Sequence, residues 1–274
     1  MLHVVAKDNR ALYEREIAEF HRLRTAVFVE ELGWRIPVQP GRLEIDQYDD
    51  DRAVYGFSFD AAQQLTMACR YRPTDDRSLL MDVFSHALAS GEPDPTGPGV
   101  WEITRGICLE SGGARHNQRR RACQMITPLE LCRATGGTRC IAFAEVRLLP
   151  LFIQMGWRVR LLGDPVDFGE GTGIAFEIDA SDFAIAKIRR DFDLPEQGHI
   201  KLMPDTADRR SVHERAAEIA LSSKLSVSLL PQDHDAREVA QSIMRTISNP
   251  KLNKRAFDYV RRNQFETPAA TGTA

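Results

Sequence analysis

The residues able to do chemistry lie in a broken series across the first 105 positions: Arg24, Phe28, Trp34, Glu44, Asp46, Asp49, Arg70, Asp82, Phe84, Glu102 and Arg105. Several of these charges stand inside apolar stretches, Arg70 in LTMACRYR, Asp82 in LLMDVF, and Glu102 and Arg105 in VWEITRGICL. An isolated guanidinium or carboxylate is costly to remove from water, so charges placed there are paired, bound to a charged ligand, or both. Arginine on a strand beside acids on neighbouring elements makes a charged floor to a pocket.

Taken singly, Arg24, Asp46, Asp49 or Arg70 reads as a surface charge or structural ion pair, and Trp34 as a core residue. The joint pattern is what points to a site. Asp50 and Asp51 extend Asp49 into an acidic run that reads as solvated and is set aside. Asp82 beside Phe84 reads as a cap or a pair and ranks below the others. The seven histidines show no metal-ligand spacing and no Ser or Cys partner, so no metal is expected. Neither GxxxxGK[ST] nor GxGxxG occurs, and the GEGTG run lies between strands rather than at a strand-to-helix turn.

The elements that must position these residues follow from periodicity. Tyr13, Ile17, Phe20 and Val27 recur at helical steps, predicting a helix over 9 to 29 with Asp8 or Asn9 as its cap and Arg24 and Phe28 on one face. Gly33, Pro37, Pro40 and Gly41 make the chain irregular to about residue 52, a loop able to fold over a ligand. Runs at 53 to 59 and 65 to 72 read as a hairpin, and 100 to 109 as a further strand. Strict alternation would put Glu102 and Arg105 on opposite faces unless a bulge intervenes. Helices over 118 to 135 and 146 to 155 alternate with strands at 139 to 144, 157 to 162 and 173 to 178, and Ser181 caps a helix to about Arg190. Strands interleaved with helices argue an α/β layered fold.

The motifs RTAVFVEELGW (24 to 34), ExDxxD (44 to 49), MACR ending at 70, MDVF (81 to 84) and WEITR (101 to 105) resemble the signature of the LuxI-type acyl-homoserine-lactone synthases, the autoinducer synthases of quorum sensing. The resemblance covers about the first half of the chain. It implies an α/β (α+β) fold, a three-layer sandwich with a central mixed sheet similar to the GNAT acyltransferases. It implies acylation of the α-amine of S-adenosylmethionine by an acyl thioester, then lactonisation with release of methylthioadenosine, with no cofactor. Carried onto this chain, Arg24 would clamp the substrate carboxylate, Phe28 and Trp34 would cover the adenosine or sulfonium, and Glu44 would join that site. Asp46 and Asp49 would hold the amine or ribose, ordered by Arg70 and Arg105. Glu102 would be the base, and backbone N–H groups near Thr104 to Ile107 would receive the oxyanion.

For the acyl group the resemblance implies an apolar wall of Phe84, Ile103, Phe143, Ala144, Leu148 and Phe152, each equally readable as core. Ala144, where some family members place a hydroxyl, disfavours a 3-oxo acyl group. Arg115, Arg119, Arg120 and Arg121 open a helix, where positive side chains oppose the dipole, so they read as a dock for a phosphopantetheine phosphate or a carrier protein, with a solvated basic face as the competing reading. The donor is an acyl-acyl-carrier protein or acyl-CoA.

Composition bounds the rest. The 274 residues are 43% hydrophobic and 27% charged with a net charge of -3, which suits a globular protein and offers no global attraction to nucleic acid or an acidic membrane. The five cysteines show no CxxC pairing and read as reduced core thiols. MLHVVAKDNR lacks an export-signal pattern and no stretch reaches membrane-span length, giving a cytoplasmic expectation. Residues 1 to 194 form the expected catalytic domain. Residues 195 to 274 form a helical extension, loop-like from Pro195 to Pro204 and amphipathic near 206 to 223, 235 to 247 and 250 to 263. That tail could pack on the catalytic domain, make a homodimer contact, or dangle. The alternatives are a GNAT-type N-acyltransferase using acyl-CoA and another amine, and a catalytically inactive regulator of the same fold.

Overall fold

The computed structural model describes residues 2–60, 64–109, 114–194 and 200–201, with the backbone alone described for 114–120 and 200–201. Strand β1 (Leu2–Val5) leads into a 3-10 turn (Lys7–Tyr13), helix α1 (Glu14–Arg24) and a π-helical segment (Thr25–Glu31). Asn9 does not cap α1. Its carboxamide oxygen accepts from Ala6 N (2.8 Å) while its amide donates to Val4 O (2.9 Å), tying the 3-10 turn to β1.

An irregular segment then runs to β2 (Val54–Phe59), which pairs with β3 (Leu65–Pro73) as the expected hairpin. Helix α2 (Leu79–Val83), which periodicity did not reveal, precedes β4 (Val100–Cys108). Helix α3 (Ala114–Ala134), β5 (Arg139–Glu145), α4 (Leu149–Gln154), β6 (Val159–Leu161), β7 (Val166–Asp167), β8 (Thr172–Asp179) and α5 (Asp182–Asp191) follow, and Ser181 caps α5 by accepting from Ala184 N (3.3 Å). A short strand β9 (Ile200–Lys201) lies where a loop was expected and pairs in parallel with β1. The expected tail helices beyond it lie outside the described residues.

The sheet is mixed, in the order β6-β8-β5-β4-β3-β2-β1-β9, with β7 pairing β8 off that path. One face packs on α3 and α5 through Trp101, Ile126, Leu129, Cys140, Phe176, Ile185 and Ile188. The other face carries two apolar clusters. Phe20 and Phe28 meet Tyr55, Phe57, Ala68 and Ile107, while Leu80 meets Val100, Ile141 and Ala175. Along β4, Val100 belongs to one cluster and Ile107 to the other, and the charged residues lie between them.

The middle of β4 decides the site. Ala68 pairs with Ile107 and Arg70 with Thr104, so β4 has one residue more than β3 over this step. The extra residue is accommodated by Arg105 in the left-handed region (φ 54), a conformation that non-glycine residues adopt at a cost. A bulge shifts the side-chain alternation by one. Before it, Trp101 and Ile103 face α3; after it, Ile107 faces α1.

Pairing between β4 and β5 is parallel and covers Val100↔Arg139, Trp101↔Cys140 and Glu102↔Ile141. Beyond that point β4 continues to Cys108 and β5 to Glu145 without pairing to each other. Their facing backbone edges are therefore outside the ladder, where N–H and C=O groups still seek partners.

Candidate functional site

Three arginines and three acids converge on the α1 face of the sheet in a closed ring of ion pairs. Arg24, at the end of α1, donates from Nε to Glu44 and as a two-pronged fork to Asp49 (2.8 and 3.0 Å). Arg70 on β3 forks onto Asp46 (2.5 and 3.0 Å) and lies 3.0 Å from Asp49. Arg105, turned inward by the bulge, donates to Glu44 (3.2 and 3.1 Å) and Asp46 (2.9 Å), closing the circuit. Each arginine thus bridges two acids, which balances the charges and offsets the desolvation an isolated ion would suffer.

The acids are held by their own loop and by β2. Asp46 N donates to Asp49 (2.9 Å), Tyr48 N to Asp46 (2.8 Å) and Tyr55 Oη to Asp49 (3.1 Å). The loop is tied to α1 by Glu44 N donating to His21 O (3.2 Å), and to the π-helical segment by Thr25 Oγ1 donating to Arg42 O (2.9 Å). Burial opposes ionisation of Asp49 and Glu44, but the arginines outweigh it: Arg70 and Arg24 for Asp49, and Arg105 and Arg24 for Glu44, hold both carboxyls below the usual range. His21, 4.0 Å from Asp49, has its pKa lowered to about 4 by burial and then by Arg24, against the pull of Asp49.

Burial divides the ring. The side chains of Arg24, Glu44, Asp49 and Arg70 are at most 1% exposed, whereas Arg105 is 11% and Asp46 15% exposed. Arg24 has its donors engaged by Glu44 and Asp49 and shows no surface, so it ties the acid loop to the end of α1. Glu44 and Asp49 are likewise interior. Arg105 and Asp46 form the arc that solvent, and hence a ligand, can reach.

Phe28 and Trp34 stand beside that arc. The π-helical widening lets Leu32 N reach Val27 O (2.9 Å) and Trp34 N reach Phe28 O (2.7 Å), a distortion frequent at functional sites. It stacks the Trp34 ring on Phe28 at 4.7 Å, and the Arg105 guanidinium lies 5.8 Å from the Phe28 centroid. Trp34 Nε1 is buried without a hydrogen-bond partner among the described residues.

Glu102 is on the same face but outside the ring. It is 2% exposed, and its two oxygens accept from Leu79 N and Leu80 N (2.7 Å each) at the start of α2. Burial raises its pKa, against the opposing effect of the Leu80 and Leu79 amides. Asp82 accepts from Tyr48 Oη (3.0 Å), which fastens α2 to the acid loop, and burial and then Asp82 push the Tyr48 phenol up to about 12. Tyr48 also lies between the guanidinium groups of Arg70 (5.6 Å) and Arg77 (5.7 Å). Asp50 is not merely solvated: Arg72, 3% exposed, forks across Asp50 (2.8 Å to its near oxygen) and Asp76 (2.8 and 3.0 Å).

The expected apolar wall splits across the sheet. Phe84 and Phe143 stack at 4.1 Å on the acid-bearing face, with Phe143 lying so close over Gly173 that a Cβ there would come within 2.1 Å of the ring. Ile103, Ala144 and Phe152 are half-buried on the opposite face against the α3 core. Leu148 is 37% exposed before α4 and is not part of either wall. The unpaired edges of β4 and β5 lie between the two groups. Sequence reading missed Phe168, whose ring stands edge-on to Trp34 (5.9 Å), Phe143 (5.7 Å) and Phe84 (6.3 Å). Its signal was faint, an aromatic before the Gly-Glu-Gly of a tight turn. Arg115, Arg119 and Arg120 lie on the helical backbone of α3 with side chains outside the described residues, and Arg121 is half-buried.

Comparisons with known proteins show the family and the fold. A family model described as autoinducer synthase matches residues 8–188. An acyl-homoserine-lactone synthase of Ralstonia nicotianae is 36% identical over 164 residues, covering 58% of this chain and 80% of that protein. An isovaleryl-homoserine lactone synthase of Bradyrhizobium diazoefficiens is 33% identical over 167 residues, covering 60% and 73%. The structure of BjaI, a CoA-dependent acyl-homoserine lactone synthase with SAM and isopentyl-CoA, superposes with a TM-score of 0.64 at 26% identity, covering 81% of this chain and 99% of that one. TofI in a ternary complex with an inhibitor and MTA gives a TM-score of 0.56 at 27% identity, covering 66% and 94%.

Proposed function

The chain belongs to the autoinducer synthase family and acts as an acyl-homoserine-lactone synthase, and from that premise we propose how its residues divide the reaction. S-adenosylmethionine presents a carboxylate, an amine and a sulfonium. Arg105 and Asp46, the exposed arc of the ring, take the carboxylate and the amine, while Phe28 and Trp34 face the cationic and adenosine end. The observation that carries this is the burial split within the ring. Arg24, Glu44, Asp49 and Arg70 keep the arc rigid, so little reorganisation is needed when the substrate docks.

The acyl thioester lies along the unpaired edges of β4 and β5. Backbone N–H groups of β4 near the bulge receive the carbonyl oxygen as the amine nitrogen attacks its carbon. Glu102, directly or through water, takes one proton from the substrate ammonium to free the attacking lone pair, and as the C–S bond of the thioester breaks a second nitrogen proton goes to sulfur, so that the thiol leaves. A carboxylate whose pKa burial has raised is a stronger base than an exposed one. The substrate carboxylate oxygen then attacks its own γ-carbon, and the C–S bond breaks to release methylthioadenosine and close the lactone. Phe84 and Phe143 bound the acyl path on the acid side of the sheet, and Ile103, Ala144 and Phe152 on the other. Coenzyme A is the donor favoured by the likeness to BjaI, a CoA-dependent synthase. Arg115, Arg119, Arg120 and Arg121 keep their proposed part in donor docking, and catalysis is assigned to residues 1–194 in the cytoplasm. Among the described residues no helix is long and apolar enough to cross a membrane.

The full chain incubated with S-adenosylmethionine and a panel of acyl-CoA and acyl-carrier-protein donors tests this by mass spectrometry. Lactone and methylthioadenosine in equal amounts are expected. Acyl transfer without methylthioadenosine would overturn the reading.

A further inference from the structure

Phe168 belongs to none of the motifs that mark the reaction, yet it touches both halves of the site. It precedes a two-residue hairpin turn between β7 and β8, with Phe168 N donating to Gly171 O (3.0 Å) and Gly169 at φ 94. A positive φ at the first central position is the geometry that tightens such a turn and favours glycine. The turn therefore fixes the backbone from which the Phe168 ring projects. From there it stands edge-on to Trp34, at 81°, and edge-on to both members of the acyl-side pair, at 84° to Phe143 and 88° to Phe84.

A second contact bridges the same two loops. Arg35, next to Trp34, donates from its backbone N (3.4 Å) and Nε (3.3 Å) to Glu170, at the hairpin tip. Arg35 is 80% exposed and Glu170 19% exposed, so this pair contributes little free energy. The ring contacts are the stronger tie. Among the described residues Trp34 Nε1 has no partner, so no hydrogen bond from them fixes the indole, and the stack on Phe28 and the edge of Phe168 set its angle.

The geometry points to Phe168 as a specificity-determining residue, a single shared wall between the S-adenosylmethionine compartment and the acyl compartment. This rests on the division of the site given above. Removing the ring frees Trp34 on one side and the Phe84–Phe143 stack on the other, so both substrates respond to one substitution.

The test is Phe168→Ala, with Phe168→Tyr as the conservative variant, in the full chain. Two readouts are independent of the fraction of active enzyme: KM for S-adenosylmethionine, and the ratio of lactones formed when a short and a long acyl-CoA compete. In Phe168→Ala, KM is expected to rise about 3- to 10-fold, the effect of losing an edge-on ring contact, and the product ratio to move at least about 3-fold toward the longer donor, for the same loss. Phe168→Tyr is expected to restore both. No movement in either readout, or movement in one alone, overturns the shared-wall assignment. Wild-type enzyme that forms lactone and methylthioadenosine keeps the functional reading intact in all of these outcomes. Wild type that forms neither, with every donor, refutes that reading instead.

Discussion

Replacing Arg24 by Lys separates an anchoring role from a ligand-binding one. Arg24 makes three charge-assisted contacts, Nε to Glu44 and a fork to Asp49, from a side chain with no exposed surface. A lysine ammonium keeps the charge but cannot reproduce the planar fork, so it satisfies one acid well and leaves the other short of donors. A net charge-assisted hydrogen bond is worth about 1.5–3 kcal/mol, and one to two are lost, so the fold should weaken by about 2–5 kcal/mol. For a domain of this size, that is a fall in melting temperature of about 5–15 °C. Affinity for S-adenosylmethionine, measured by titration calorimetry below the melting transition, should weaken less than about 5-fold, because the arc formed by Arg105 and Asp46 survives and about 1 kcal/mol of misplacement corresponds to that factor. Arg105→Lys should show the reverse balance, with affinity hit harder than stability. An Arg24→Lys protein that melts with wild type yet binds S-adenosylmethionine more than 10-fold more weakly would refute the anchoring argument and return Arg24 to the ligand.

Glu102→Gln should lower kcat by about 100-fold or more, the usual range for loss of a general base, while costing about 1–3 kcal/mol of stability because an amide NH2 replaces one acceptor of the Leu79 and Leu80 N–H groups. A folded variant with wild-type turnover would remove Glu102 as the base. His21 has a folded pKa near 4, below its ordinary 6.5, so the unfolded chain binds the extra proton between those values. Its contribution is thus fully present above pH 6.5 and is lost as pH falls toward 4, about 3 kcal/mol in all. Urea midpoints of wild type should drop across that window, and His21→Asn should flatten the drop. Equal pH profiles for the two proteins would show that His21 is not neutral in the folded state.

The parts of the site that were legible in the sequence were those fixed by local rules. The α1 periodicity, the β2–β3 hairpin, the Ser181 cap and the charges embedded in β3 and β4 are each determined by neighbours close in the chain. Asp50 shows the limit. Its run of acids looks solvated in one dimension, but Arg72 crosses from β3 to fork onto it. Helix α2 escaped notice because a short helix has no full apolar repeat, and its start is held by Glu102 from another element.

What the amino-acid order determined by itself was the cast: three arginines, three acids and an aromatic pair, in motifs specific enough to imply the reaction. Tertiary structure decided which of them solvent can reach. A one-residue bulge in β4 reverses the side-chain alternation and brings Arg105 into the ring, and no propensity of Thr, Arg or Gly specifies that alone. Closure of the ring then buries Arg24 and leaves Arg105 and Asp46 at the surface. The parallel pairing of β4 with β5 ends at Glu102, and side-chain alternation along β5 puts Phe143 on one face of the sheet and Ala144 on the other. Phe168 reaches Trp34 because a hairpin far along the chain folds back across the site. Accessibility and convergence depend on contacts between residues distant in sequence, so they emerge only when the layers pack.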